Sequence, residues 1–260
     1  MSYETIRLER ADGVATITLD RPQTRNALDM PMREEIGRAL VEVRDDDEVR
    51  ALIITGAGET FCSGGDIRTM TAAQTAIQGR DRMRRLHRWL LELVALEKPV
   101  IAAVDGYAVG AGCNLALACD IILASDRAKF CESFVRVGLV PDMGGFFFLP
   151  RAVGLHKAKE LVFTADMIGA AEAERIGLVN RVVPAASLMS EAITFASRLA
   201  RGATRAIGMA KVALNRSFQM DLQAMLDYEA QLQGIATSTE DHHEGVDAFL
   251  KKREPKFRGR

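Results

Sequence analysis

The stretch Lys98-Pro-Val-Ile-Ala-Ala-Val-Asp-Gly-Tyr-Ala-Val-Gly-Ala-Gly112 decides how this chain folds. Lys98-Pro99 ends whatever helix precedes it, because a proline pushes the residue before it out of α geometry. Val100–Val104 is then a short uninterrupted apolar run, the pattern of a strand covered on both faces. Gly106–Asp120 follows with glycines and then an Ala/Leu run, which reads as a loop opening into a buried helix. Strand, glycine-rich loop and helix in that order form the repeating unit of an α/β fold.

The same unit stands upstream. Val49–Thr55 reads as a buried strand stopped by Gly56-Ala57-Gly58, Phe61–Asp66 is a second glycine-rich loop, and Thr75–Leu96 is a long Arg-rich helix. Further out, Thr5–Arg10 and Val14–Leu19 flank Ala11-Asp12-Gly13 as a β-hairpin. Arg21-Pro22 closes the hairpin. Asn26–Arg44 then carries Met32, Ile36, Leu40 and Val43 at helical spacing. Downstream come a short strand at Ile121–Ala124, a loop over Leu139–Pro150 with a glycine pair and three consecutive Phe, and a mostly helical remainder beyond Gly154 punctuated by Pro184. The expected organisation is an α/β core over residues 1–200 and a helical region over 201–260.

At 260 residues with 48% hydrophobic and 27% charged residues, the chain can bury a large core without disulfides or metal. Its net charge of −1 argues against a nucleic-acid binder, which carries a basic stripe. The longest uncharged stretch of the Gly-rich middle, Gly106–Cys119, is 14 residues, too short to span a bilayer. The first ten residues are charged and lack an apolar signal segment. Cys62, Cys113, Cys119 and Cys131 follow no zinc spacing and read as reduced, core-filling thiols. These features point to a cytoplasmic protein.

Several chemistries are missing. There is no GxxxxGK[ST], no GxSxG around Ser63 and no HExxH, and His87, His156, His242 and His243 read as surface residues. Gly110-Ala111-Gly112 lacks the third glycine of a dinucleotide fingerprint. What remains is two glycine-rich loops, each after a buried strand. Such loops let backbone N–H groups approach a ligand oxygen, and the second opens a helix whose N-terminus favours negative charge. Two converging N–H groups would make an oxyanion hole. The alternative for each loop is a tight turn that packs strand on helix.

Phe61-Cys-Ser-Gly-Gly-Asp-Ile67, the stretch 98–112 and Gly138-Leu-Val-Pro-Asp-Met-Gly-Gly145 occur in this order, and together they resemble the crotonase (enoyl-CoA hydratase/isomerase) superfamily. The resemblance covers nearly the whole chain. It implies a crotonase-like ββα spiral core with a C-terminal α-helical trimerisation region, assembled as a homotrimer or dimer of trimers. It implies an acyl-CoA thioester substrate, with coenzyme A entering only as part of that substrate and no metal or other cofactor. The oxyanion donors map to Gly65 and Ala111. The CoA contacts map to Arg25, Ala27, Leu28, Ser63, Asp66 and Ile67, with Phe249 and Lys252 supplied near CoA by a neighbouring subunit. The basic tail, six Lys/Arg in residues 251–260, suits CoA phosphates or simple solvation.

The base departs from the hydratase pattern. The two glutamates that hold water in hydratases of this family fall, without gaps, on Asn114 and Phe134, and neither can act as a base. Glu132 lies two positions earlier. Asp142, between Pro141 and Met143-Gly-Gly145, stands where hydratases commonly carry glycine, and Phe146–Phe148 would give it an apolar surround. That looks like the ring-1,2-epoxyphenylacetyl-CoA isomerase branch, which Met209–Asn215 and Glu244–Lys251 also resemble. The alternative role for Asp142 is a cap on a turn. The leading expectation is therefore a single-carboxylate enoyl-CoA isomerase, then a hydratase using Glu132 or Asp142 with Asn114, then a non-catalytic acyl-CoA-binding subunit. Asn114, Phe134 and Met143 are the candidate acyl-pocket residues. Met83, Leu86, Trp89, Leu90 and Leu93 read as a packed helix face, and Arg80, Arg82, Arg84, Arg85 and Arg88 as a solvated one.

Overall fold

The computed structural model describes residues 2–70 and 75–260. Strands are β1 (Ile6–Ala11), β2 (Val14–Leu19), β3 (Ala51–Gly56), β4 (Val100–Val104), β5 (Tyr107–Val109), β6 (Ile121–Ser125), β7 (Lys129–Cys131), β8 (Ile168–Gly169) and β9 (Arg181–Val183). Helices are α1 (Met30–Asp45), α2 (Ala76–Ala95), α3 (Ala111–Leu117), α4 (Gly145–Val153), α5 (Leu155–Thr164), α6 (Ala170–Arg175), α7 (Leu188–Ala200), α8 (Thr204–Arg216), α9 (Leu222–Thr237) and α10 (Glu240–Leu250).

Two sheets organise the chain. The larger runs β1-β2-β3-β4-β6-β9, parallel except for the β1–β2 hairpin, and the smaller runs β5-β7-β8. The chain winds between them as a spiral. β4 lies in the large sheet, β5 in the small one, and α3 follows; β6 and β7 repeat the step. Alternation along β3 and β4 fixes the layers. Leu52, Ile54, Val100, Ala102 and Val104 face a core shared with α1, α2 and α3, while Ile53, Ile101 and Ala103 face Ala192, Ala196 and Ala200 of α7. Alanines every four residues make a helix stripe narrow enough to lie close on the sheet. The C-terminal helices are tied back by Lys211 of α8, whose buried Nζ meets Asp120 Oδ2 at 2.9 Å and donates to the Lys98 carbonyl at 3.2 Å.

Three expectations are corrected. The first helix begins at Met30 rather than Asn26, because Asp29 caps it through Met32 N–H and Arg25 and Asn26 take left-handed backbone angles. The segment Gly106–Asp120 contains a short strand, β5, that pairs with β7 before the helix starts. The expected loop over Leu139–Pro150 ends in α4, which includes all three Phe and tolerates Pro150 near its C-terminal end. The four cysteines are buried and free, as expected. Among the described residues no helix is long and apolar enough to cross a membrane.

Candidate active site

The two glycine-rich loops meet backbone to backbone. Cys62 N–H donates to Tyr107 O and Val109 N–H to Cys62 O, both at 2.9 Å, while Leu28 N–H donates to Gly64 O at 2.8 Å. Glycine is needed for this approach at Gly112, where a Cβ would sit 2.2 Å from Cys62 O. The consequence is that Gly65, bridged to Leu28, and Ala111, the first residue of α3, end up on adjoining segments. Among the described residues neither N–H finds a backbone acceptor. Ala111 N–H is free because the first turn of any helix leaves its donors unpaired.

Beside these donors lies a buried polar group of three. Asn114, on α3 and fully buried, donates through Nδ2 to the Asp142 main-chain carbonyl at 2.9 Å and to Glu132 Oε2 at 3.4 Å. Gly145 makes room for it: a Cβ there would stand 2.4 Å from Asn114 Nδ2. Three oxygens of the group, Asn114 Oδ1, Glu132 Oε1 and Asp142 Oδ1, are buried without a hydrogen-bond partner. Buried acceptors left unpaired are expensive in a folded core, and their clustering marks a place where a ligand supplies the missing donor or proton. Burial pushes the Glu132 carboxyl up to about 7, against hydrogen bonds from Cys113 and Asn114 that lower it and the Asp142 charge that raises it further. Burial likewise raises Asp142 above the ordinary carboxylate range, with Arg33, His87 and Arg82 pulling the other way.

The sequence-derived residues divide accordingly. Gly65, Ala111, Asn114, Glu132, Asp142 and Met143 come together. Phe134 packs against Gly110, the residue before the Ala111 donor. Arg25, Ala27, Leu28, Ser63, Asp66 and Ile67 lie along one ladder: Ser63 N–H donates to Arg25 O and Asp66 N–H to Leu28 O. Asp66 is held by Arg68 and Ile67 is exposed. Phe249 and Lys252 sit at the end of α10, Phe249 82% exposed.

Of the apolar surround expected for Asp142, Phe148 packs against Gly144 and the core while the other two rings point elsewhere. Phe146 is 62% exposed, and Phe147 lies under the Arg151 guanidinium with its ring centre 3.6 Å away. Cations also face Asp142. Arg33, only 5% exposed, donates through Nη1 to Met143 Sδ at 3.4 Å and through Nε to Leu28 O at 3.4 Å, tying the Asp142 loop to the Leu28 segment bridged to Gly65. Arg82 and His87 are half-buried rather than solvated, and Arg82 Nε is buried without a partner. A signal for Arg82 was present in the sequence: it stands four, seven and eleven residues before the buried Leu86, Trp89 and Leu93, on their stripe of α2. Arg33 adjoins Met32 on the edge of an ordinary amphipathic helix, and nothing in the sequence distinguishes it from a surface arginine. Among the described residues no group of three or more His, Cys, Asp or Glu could hold a metal ion.

Two backbone donors beside a buried carboxylate suit an enzyme that builds up negative charge on a carbonyl oxygen and moves a proton. The family model for enoyl-CoA hydratase/isomerase matches residues 9–260. A probable enoyl-CoA hydratase of Mycobacterium tuberculosis is 44% identical over 257 residues, 99% of each chain, and a crotonyl-CoA hydratase of Syntrophomonas wolfei is 41% identical over 259 residues, again 99% of each. A solved enoyl-CoA hydratase/isomerase from Cupriavidus metallidurans superposes with a TM-score of 0.94 at 38% identity, covering 100% of this chain and 98% of the other. The chain belongs to the enoyl-CoA hydratase/isomerase family, within the crotonase superfamily, and has its α/β fold. The relatives' names favour hydration over the double-bond shift expected from the sequence.

Proposed function

We propose that this enzyme shifts the double bond of an enoyl-CoA thioester, with Asp142 as the base that takes a proton from one carbon and returns it two carbons away. The thioester oxygen sits between Gly65 N–H and Ala111 N–H, where negative charge develops as the enolate forms; one such donor is worth about 3–4 kcal/mol. The observation that carries the reading is the buried, unpartnered Asp142 Oδ1. The Asp142 carboxyl is half-buried with one oxygen shut away unpartnered, and burial raises its pKa against the pull of Arg33, His87 and Arg82, which suits it both to take the proton and to give it back. One group suffices because the proton leaves and returns by the same oxygen. The CoA moiety runs along Arg25–Leu28 and Ser63–Ile67, and the protein works as a homotrimer or dimer of trimers with Phe249 and Lys252 facing a neighbour's CoA.

Hydration is the second reading. It is supported by the relatives' names and by Glu132, whose free Oε1 and position beside Asn114 would let a water be held between two carboxylates. Product analysis separates the two. With a 3-enoyl-CoA in D₂O, the isomerase reading expects a 2-enoyl product carrying deuterium. Rapid conversion of a 2-enoyl-CoA to the 3-hydroxyacyl ester, with no turnover of the 3-enoyl ester, would overturn it in favour of hydration.

A further inference from the structure

The surroundings of Asp142 hold more positive than negative charge. Arg33 is buried, yet among the described residues its hydrogen bonds go to a main-chain carbonyl and to a thioether, a weak acceptor. Arg82, half-buried on α2, reaches into the same region with its Nε buried and unpaired among the described residues, and His87 stands five residues further along the helix. Among the described residues no carboxylate oxygen comes within 4.0 Å of either guanidinium. Thr71-Ala-Ala-Gln74 contains no acid that could serve. Asp29 is taken by Arg21 and by the cap of α1. Glu132 is turned towards Cys113 and Asn114. Asp142 faces Arg33, Arg82 and His87, and its own ionisation is opposed by burial. Arg33 is thus a buried guanidinium with no carboxylate in ion-pair contact among the described residues, a costly state, and the half-buried Arg82 adds a second positive charge beside it.

We propose that Arg33 and Arg82, with His87 beside them, seat a carboxylate at the far end of the acyl chain, so that the preferred substrates are CoA thioesters of dicarboxylic acids. The inference rests on the acyl-CoA reading above and extends it to the chemical class of the acyl group. Guanidinium is the natural partner, since its fork of donors matches a carboxylate and it remains charged when desolvated. It adds a charged end to the pocket expected from Asn114, Phe134 and Met143. Those residues flank the chain, and the arginines close its end.

Binding of saturated, unreactive esters tests this without depending on turnover. Glutaryl-CoA is compared with valeryl-CoA, and adipyl-CoA with hexanoyl-CoA, by calorimetry on the full-length protein, with free CoA as a further ligand. At least one dicarboxylic ester is expected to bind about 10- to 100-fold tighter than its neutral counterpart of equal length. Arg82→Met is expected to erase that preference while leaving the neutral ester and free CoA unchanged, which also certifies that the variant folds. Arg33→Met is expected to act in the same direction. Equal or tighter binding of the neutral esters would overturn the inference and leave the acyl-CoA reading intact. An equal loss of affinity for free CoA in Arg82→Met would overturn it too, by assigning the arginine to the CoA phosphates. Failure of every ester and of CoA to bind the wild-type protein would refute the acyl-CoA reading itself.

Discussion

Replacing Glu132 by Gln keeps the shape of the side chain and removes its ionisation, and the consequence depends on pH in a way the structure dictates. In the folded protein burial holds the Glu132 carboxyl at about 7, against an ordinary value of 4.5. Because the folded-state value is the higher one, the native protein binds the proton more tightly than the unfolded chain. The stability this contributes is fully present below pH 4.5 and is lost as pH rises to 7 and beyond. A difference of this size corresponds to about 3 kcal/mol at 1.36 kcal/mol for each pH unit. Glutamine carries no such linkage. It can accept from Asn114 Nδ2 as Glu132 Oε2 does at 3.4 Å. The gap between the variant and wild type is therefore expected to widen in the variant's favour by about 3 kcal/mol between pH 4.5 and pH 8. For a chain of this length that is roughly 6–12 °C in Tm. Thermal unfolding of both proteins across this range is the assay. A gap that stays constant with pH would refute the argument, because it would mean that the Glu132 carboxyl is solvated or paired in the folded state.

Ala111→Pro removes one proposed oxyanion donor at a helix position where proline is structurally tolerated; kcat/KM should fall at least 10²–10³-fold with the Tm nearly unchanged, measured by steady-state kinetics and calorimetry. Gly112→Ala places a methyl group 2.2 Å from Cys62 O and should force the two glycine loops apart, lowering the Tm and activity together. Lys211→Met removes the cation paired with Asp120, leaving that carboxylate, among the described residues, the Val100 N–H alone, and should lower stability, an effect denaturant titration would detect and which should shrink at low pH as Asp120 protonates.

Much of this architecture was legible because the signals are local. Pro99, the five apolar residues Val100–Val104 and the glycines after them are read within one window, and the same holds for the hairpin around Asp12-Gly13. The short strands β5, β7, β8 and β9 were not legible: each has three residues or fewer, and pairing with a distant segment, rather than intrinsic preference, makes it a strand. The Phe-rich segment looked like a loop because Pro150 and two glycines flank it, whereas burial of Leu149 and the turn at Gly144 make it helical. In the site, Gly65, Ala111 and Asp142 stood out through their motifs. Arg33 could not, since its role depends on Met143 and Leu28 arriving beside it from elsewhere in the chain. Arg82 was visible on its helix stripe but was read with its charged neighbours. Glu132 was marked only by its nearness in sequence to Phe134, and the turn after β7 is what aims it at Asn114.

In the proposed mechanism Asp142 removes the substrate proton while Gly65 and Ala111 hold the enolate oxygen. The most direct measurement is deuterium uptake at C2 of a saturated acyl-CoA in D₂O, followed by NMR for wild type, Asp142→Asn and Glu132→Gln. Exchange in wild type and Glu132→Gln, with loss of about three orders of magnitude or more in Asp142→Asn and acyl-CoA binding retained, is the predicted result. Exchange that survives in Asp142→Asn and disappears in Glu132→Gln would contradict it and assign the proton to the other carboxylate.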